Sequence, residues 1–135
     1  MMAWMDEGVG VAPSVLVIDD NEIALAAIRA LLEQAGVAVE CLPTAIGATQ
    51  VILRHGIRVV VADLNMPAVT GSSLVTMLRK NPRLRDVAVV LISGEPPDSL
   101  TLVADQVGAA GSVSKQDMHQ ALVPMVQRLL RSATA

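Results

Sequence analysis

The sequence predicts an α/β fold in which one doubly wound parallel sheet of five short strands lies between two layers of helices. Three observations support this class. Short apolar runs alternate along the chain with longer segments of helical period. The runs are continuous and rich in Val and Ile, which is typical of parallel strands covered on both faces. Turn-forming and helix-capping residues separate the two kinds of segment.

The predicted strands are short apolar runs bounded by turn signals. The first, Val15-Leu16-Val17-Ile18, is uninterrupted by any polar residue. Parallel strands joined by helices require right-handed crossovers, which place helices on both faces of the sheet. The five predicted strands span residues 15–18, 37–42, 58–62, 87–92 and 112–113.

The first predicted helix shows the charged and apolar stripes of an amphipathic helix. From Glu22 to Ala35 the charged side chains share one face, and Gly36 follows as a C-cap. Thr44 and Ser72 are predicted to cap the second and third helices, and Asn81-Pro82 stops the third. The five predicted helices span about residues 22–35, 45–55, 72–80, 98–107 and 116–131.

Length and composition bound the organisation of the chain. The 135 residues fit one domain, and we expect a flexible tail over residues 1–13 followed by the domain over 14–132. The net charge is -3 without a basic stripe, so we expect no nucleic-acid binding by this chain. Every apolar run is shorter than the roughly 20 residues that span a bilayer. The single Cys41 rules out an internal disulfide and suits a reducing compartment, so we expect a cytoplasmic protein without membrane contact.

The most informative motif is Asp63-Leu64-Asn65-Met66-Pro67, which follows the third strand and is itself followed by Gly71. A buried strand that stops at an acid and then turns places that carboxylate at the rim of the sheet. Because the carboxyl ends of all parallel strands meet there, the residues after each strand should converge. These residues are Asp19 and Asp20 after the first strand, Asp63 after the third, Ser93 and Gly94 after the fourth, and Lys115 after the fifth.

This set of side chains predicts a magnesium-dependent phosphoacceptor. Three neighbouring carboxylates repel one another, and Mg²⁺ with oxygen ligands is the usual way such a cluster stays ionised. Mg²⁺ commonly takes one or two carboxylates and leaves room for phosphate oxygens. Asp63 can then form an aspartyl phosphate, while Mg²⁺ and Lys115 neutralise the phosphoryl oxygens and Ser93 donates to one of them.

Four short motifs occur in an order and spacing that are specific only in combination. They are Val-Leu-Val-Ile-Asp-Asp at 15–20, Asp-Leu-Asn-Met-Pro at 63–67 with Gly71, Leu-Ile-Ser-Gly at 91–94, and Gly-Ala-Ala-Gly at 108–111 before Lys115. Together they resemble the receiver domains of two-component response regulators, and the resemblance covers about residues 15–130. It implies a flavodoxin-like five-stranded sheet of order 2-1-3-4-5 with five helices.

The resemblance also implies which residues hold the metal. Asp63 would be the phosphorylated residue, and Asp20 and Asp63 would bind Mg²⁺ directly. Asp19 would act largely through a coordinated water, and Asn65 would offer its backbone carbonyl to the metal.

The same resemblance implies roles around the phosphoryl group and exposes two departures. Ser93 would move toward that group, Gly94 would give access to it, and Lys115 would pair with it. Receivers usually carry a proline after the lysine, with a cis peptide bond, where this chain has Gln116. They also carry Tyr or Phe where this chain has Ser112. Without that ring, we expect coupling to the last helix-strand-helix face to be atypical or weak.

The expected function is that of a phosphorelay receiver, which takes a phosphoryl group from a histidine kinase or phosphotransfer protein and switches partner binding. We expect it to catalyse only its own phosphorylation and dephosphorylation. The alternative is a receiver-like interaction or dimerisation module that works without phosphorylation. A dehalogenase-type phosphatase would need an acid where Asn65 stands, and a dinucleotide site would need a glycine-rich turn where Asp19-Asp20-Asn21 stands.

The sequence leaves the cognate kinase, the output pathway and the oligomeric state open. It also leaves open whether the chain is a stand-alone regulator or part of a longer protein. The last predicted helix has a broad apolar face, from which we expect a weak or switchable homodimer. That face comprises Leu122, Val123, Met125, Val126, Leu129 and Leu130.

Overall fold

The computed structural model of the protein describes residues 12–66 and 69–134. The predicted tail therefore lies outside the described residues except for its last two positions, as does Pro67 of the acidic motif. Within residues 12–66, the first regular element begins at Val15.

Five parallel strands form one sheet in the order β2-β1-β3-β4-β5, which confirms the expected topology. Val15 of the first strand pairs with a residue of the second strand and a residue of the third, so this strand lies inside the sheet. No strand end differs from the sequence prediction by more than two residues. The strands are β1 (Val15–Ile18), β2 (Val39–Leu42), β3 (Val59–Asp63), β4 (Ala88–Ser93) and β5 (Gly111–Ser114).

Five helices cover the two faces of the sheet, as expected. Successive strand residues point to opposite faces, which gives the protein two core clusters. One cluster joins Leu16 and Ile18 to the second, third and fourth helices, and the other joins Val15 and Val17 to the first and fifth. The helices are α1 (Glu22–Gln34), α2 (Ala48–His55), α3 (Gly71–Lys80), α4 (Pro97–Val107) and α5 (Met118–Thr134).

Two predicted helix starts were wrong. Thr44 accepts a hydrogen bond from the Ile46 amide at 3.2 Å, but this forms a turn. Gly47, with φ of 84°, then precedes α2 in a left-handed conformation that glycine adopts without a Cβ clash, so α2 begins three residues late. The cap of α3 is Thr70 instead of Ser72, since its hydroxyl accepts from the Ser73 amide at 3.1 Å.

The last predicted helix is divided in the structure. Lys115–Asp117 forms a 3₁₀ turn, and α5 follows it and continues through Pro124. Within the broad apolar face of α5, Leu122 and Val126 are completely buried against the sheet. The other four residues of that face are partly buried against the same core cluster. Docking onto the sheet thus uses this face, and the homodimer stays a prediction.

Arg79 ties three segments together at the amino-terminal ends of β4 and β5. Its Nη1 atom donates to the backbone carbonyls of Arg85 and Val87, each at 2.9 Å, and Nη2 donates to the carbonyl of Gly108 at 3.3 Å. The planar guanidinium suits this task because its donors are held in a fixed fork. The side chain therefore joins the end of α3 to the loop before β4 and to the turn before β5.

Replacing Arg79 with alanine should lower the free energy of unfolding by about 1–2 kcal/mol, because charge-assisted hydrogen bonds to three carbonyls are lost. Arg79→Lys should recover only part of this, since an ammonium lacks the fork. Urea unfolding followed by circular dichroism measures both. Lys80→Ala, which changes an exposed neighbour of the same charge, is the control. Equal losses in the alanine variants would contradict the role of the fork.

Candidate functional site

The carboxyl-terminal edge of the sheet gathers the residues that the sequence singles out. Asp19 directly follows β1, while Asp63 and Ser93 are the last residues of β3 and β4. Lys115 directly follows β5. The parallel registers of these strands bring their ends to one level, where a ligand site is expected in an open α/β sheet.

Three acids form a compact cluster at this edge. Asp19, Asp20 and Asp63 each have a carboxylate oxygen within 4.8 Å of the others. Asp19 is completely buried, Asp63 is 6% exposed, and Asp20 is exposed. The cluster therefore has two buried members and one that faces solvent.

Backbone amides hold the two buried carboxylates in place. Oδ1 of Asp19 accepts from the Asn21 amide, and Oδ1 of Asp63 accepts from the Asn65 amide, each at 2.9 Å. The Asn21 side chain in turn caps α1 by accepting from the Ile23 and Ala24 amides. Since Asn21 serves as the helix cap, neither Asp19 nor Asp20 has that role. The Oδ2 atoms of Asp19 and Asp63 are left for the centre of the site.

Lys115 contacts both of these oxygens. Its Nζ atom donates to Oδ2 of Asp63 at 3.1 Å and lies 3.2 Å from Oδ2 of Asp19. The second contact is an ion pair that does not meet hydrogen-bond geometry, so the buried Oδ2 atom of Asp19 accepts no hydrogen bond from any described residue. The Lys115–Gln116 peptide bond is trans, and the lysine reaches the acids from a 3₁₀ turn. Lys115 therefore reaches the site although Gln116, and not a proline, follows it.

The pKa values of Asp19 and Lys115 are displaced in the same direction for different reasons. Burial raises the pKa of Asp19, against the lowering effects of the Asn21 amide and of Lys115. Burial alone would lower the pKa of Lys115, but its contacts with Asp63 and Asp19 outweigh burial and raise it. One ammonium thus faces two carboxylates, and the buried charge of Asp19 is only partly compensated.

The cluster fits a hard divalent cation. The buried Oδ2 atom of Asp19 lacks an aligned donor, the three acids offer oxygen ligands, and Asp20 opens the cluster to solvent. Mg²⁺ takes carboxylate oxygens together with several waters, which this half-open arrangement accommodates.

A second network surrounds the hydroxyl of Ser93, which is completely buried. Its Oγ accepts from Nδ2 of Asn65 at 3.2 Å and from the Glu95 amide at 3.0 Å. The side-chain Nδ2 atom of Asn65 also donates to Oε2 of Glu95 at 3.2 Å. Sequence reasoning assigned Asn65 only a backbone role and missed Glu95, whose position two residues after Ser93 was the available signal. Gly94 between them is exposed, and a Cβ there would meet no atom within 4 Å.

Gly71 packs directly on the strand end that carries Asp63. A Cβ at this position would lie 2.7 Å from Cδ2 of Leu91 and 2.8 Å from the backbone oxygen of Asp63. These distances are shorter than van der Waals contact, so only glycine lets the loop approach this closely. The motif glycine therefore has a packing role beside the acid.

The β5 strand carries small polar residues where a large ring is expected. Ser112 pairs with Leu91 and is partly exposed, and Ser114 pairs with Ser93. Ser114 is 4% exposed, and its Oγ has no hydrogen-bond partner in the described part of the chain. The hydroxyl of Ser93 thus has a second, unpartnered hydroxyl on the adjacent strand.

The comparison with protein families decides the classification. The protein-family model of the response regulator receiver domain matches residues 15–127 of this chain. The chain belongs to this family. The match contains every candidate site residue from Asp19 to Lys115, in the order that the four motifs predict.

Two curated relatives of this receiver domain are transcriptional regulatory proteins. The transcriptional regulatory protein PrrA of Mycobacterium tuberculosis is 32% identical over 127 residues, which cover 94% of this chain and 53% of that protein. The C4-dicarboxylate transport transcriptional regulatory protein DctD of Pseudomonas aeruginosa is 32% identical over 86% of this chain and 25% of its own length. The chain thus spans about half the length of one and a quarter of the other.

Solved structures share the fold. The receiver domain of the Francisella response regulator 1452 superposes with a TM-score of 0.79 at 24% identity, covering 90% of this chain and 98% of that one. The chemotaxis protein CheY4 of Vibrio cholerae gives 0.77 at 24% identity, covering 87% and 98%. Among the described residues of this receiver, no helix is both long and apolar enough to cross a membrane.

Replacing Asp19 with asparagine should stabilise the metal-free receiver at neutral pH by roughly 1 kcal/mol, since it removes a poorly compensated buried charge. The pKa of Asp19 is raised in the folded state above its ordinary value of 3.8. The wild type should therefore lose stability relative to the variant as the pH rises from 3.8 through the folded-state pKa. Added Mg²⁺ should stabilise the wild type more than Asp19→Asn.

Thermal unfolding from pH 4 to pH 8, with and without Mg²⁺, measures these differences. Asp105→Asn, at an exposed position of α4, removes the same charge away from the cluster and is the control. If the wild type were more stable than Asp19→Asn in the absence of metal, the buried charge of Asp19 would not destabilise the protein and this prediction would be wrong.

Proposed function

We propose that this receiver domain accepts a phosphoryl group on Asp63 from a histidine kinase or phosphotransfer protein. One observation carries the proposal: the Lys115 ammonium lies between the Oδ2 atoms of Asp63 and Asp19, inside a cluster of three acids. At this edge of the sheet, the Asp63 carboxylate supplies the nucleophile and the Lys115 ammonium supplies positive charge for phosphoryl transfer.

The chemistry follows from the positions of these side chains. An oxygen of the Asp63 carboxylate attacks phosphorus, the P–N bond of the phosphohistidine donor breaks, and its electron pair stays on the imidazole. Lys115 keeps its charge and neutralises a phosphoryl oxygen. Ser93, now held by Asn65 and the Glu95 amide, donates to another phosphoryl oxygen once it leaves those partners.

Asp19, Asp20 and Asp63 would hold Mg²⁺, together with the backbone carbonyl of Asn65. When bound, the cation supplies charge neutralisation for the acids and for the phosphoryl oxygens. Asp19 serves this assembly with its Oδ2 atom, which accepts no hydrogen bond from the described residues and has only the ion pair with Lys115. Lys115 reaches the same centre from β5, so the acids keep a protein counter-ion when the metal is absent.

The proposed receiver catalyses only its own phosphorylation and dephosphorylation and acts by changing what it binds. We place it in the cytoplasm, where a histidine kinase or phosphotransfer protein is its donor and a downstream protein is its target. Because Ser112 replaces the usual ring, we propose that coupling from Ser93 to the surface of α4, β5 and α5 is atypical or weak. The alternative of a phosphorylation-independent interaction module has no observation that favours it, since the acidic cluster and its lysine are intact.

Acetyl phosphate with Mg²⁺ should add the mass of one phosphoryl group to the protein, and Asp63→Asn should not be labelled. Lys115→Ala should lower the labelling rate by at least tenfold, because a charge that stabilises the transferring group is lost. Intact-mass spectrometry over time measures both. Asp98→Asn, at an exposed position in the first turn of α4, is the charge-matched control. Labelling of Asp63→Asn equal to the wild type would overturn the proposal.

Amide chemical shifts with and without a phosphoryl mimic test the coupling proposal. We expect large changes at Asp63, Ser93 and Lys115 and small changes across residues 98–114 and 118–125. Ser112→Tyr should enlarge the changes in that range if the ring restores the route. Large, widespread changes over residues 98–125 in the wild type would contradict weak coupling.

A further inference from the structure

The amino-terminal edge of the sheet, opposite the acidic cluster, is rich in basic residues. All ten Lys and Arg residues of the chain lie in the described ranges, and only Arg29 in α1 and Lys115 lie away from this end. The sequence shows no basic stripe because these residues are spread over almost 80 positions, and only the topology gathers them. They are Arg54, Arg58, Arg79, Lys80, Arg83, Arg85, Arg128 and Arg131.

Helix dipoles explain some of these charges. Arg54 and Lys80 lie in the last turns of α2 and α3, where a cation is favourable. Arg58 precedes β3 and Arg83 lies in the loop after α3, so neither completes a helix. Neither side chain makes an ion pair or a hydrogen bond with another described residue.

These two arginines line a cavity at the amino-terminal edge. The cavity has a volume of about 510 Å³ and is open to solvent. Such a volume lies within the range of small-molecule sites, roughly 300–1,000 Å³. Its walls combine aliphatic side chains with a few polar groups, which is the usual composition of such sites. The lining residues are Ile57, Arg58, Arg83, Asp86, Val87, Ala88, Leu129 and Ser132.

We propose that this cavity binds a small organic anion, in which a carboxylate or phosphate is attached to an apolar body. Arginine presents a planar fork that matches both kinds of anion, and the cavity holds two arginines whose side chains have no partner among the described residues. The partly exposed Ala88 and Leu129 provide an aliphatic wall for the body of the ligand, and the almost fully buried Ile57 and Val87 lie beneath it. Asp86 disfavours a second acidic group and suits a hydroxyl or amine of the ligand.

The cavity lies at the ends of β3 and β4 that are remote from Asp63 and Ser93. Ile57 and Arg58 lead into β3, while Val87 and Ala88 lead into β4. A ligand bound there leaves the acidic edge accessible. The inference therefore does not rest on the proposed phosphoryl transfer, and either can fail without the other.

Titration of ¹⁵N-labelled protein without Mg²⁺ tests the cavity with phenylphosphonate, benzoate and the neutral benzamide. We expect saturable amide shifts at residues 57–58, 83–88 and 129–132 with at least one of the two anions, and at least tenfold weaker binding of benzamide. The stronger of the two anions identifies the preferred acid group. Shifts from neither anion at these residues, or equal binding of benzamide, would overturn the proposal.

Paired arginine variants separate a specific site from general attraction. The Arg58→Gln, Arg83→Gln double variant should bind the preferred anion at least tenfold more weakly. The Arg54→Gln, Arg85→Gln double variant loses the same charge outside the cavity lining and should change affinity by less than about twofold. Equal weakening in the two double variants would mean that only the general field attracts the anion and would refute the site. Arg83→Gln alone, at an exposed loop position, is the measurement if the first double variant does not fold.

Discussion

The arrangement of the site depends on one ammonium group placed between two buried carboxylates. Lys115 directly follows the edge strand of the sheet, whereas Asp19 follows β1 and Asp63 ends β3, which are adjacent inner strands. The strand order brings all three to one point, and the Asn21 and Asn65 amides turn the remaining carboxylate oxygens toward it. A lysine compensates two acids only in part, which leaves Asp19 poorly satisfied and the site receptive to a harder cation.

The sequence predicted the sheet and the acidic edge because both follow from simple rules. Continuous Val-rich runs between amphipathic segments leave few alternatives to a parallel sheet, and the residues after each strand must then meet. Asp19, Asp63, Ser93 and Lys115 were therefore placed together correctly without coordinates.

Features that depend on exact loop paths were less predictable. The sequence predicted Ser72 as the cap of α3, whereas the structure has Thr70 there. The helix begins at Gly71, which packs closely against the backbone of Asp63. Glu95 joined the Ser93 network only because the loop after β4 folds back on Asn65. The basic edge was invisible for a different reason: its residues are distant in sequence, and the topology alone makes them neighbours.

The packing of α5 determines how changes along its apolar stripe should be interpreted. Leu122 and Val126 are fully buried against α1 and the sheet. Met125 lies so close to Gly111 that a Cβ atom at position 111 would be only 2.7 Å from its Sδ atom. A polar side chain introduced on this stripe would disturb folding before it could disturb any association. At Leu122 and Val126, therefore, loss of a dimer on substitution would not by itself assign these residues to an interface.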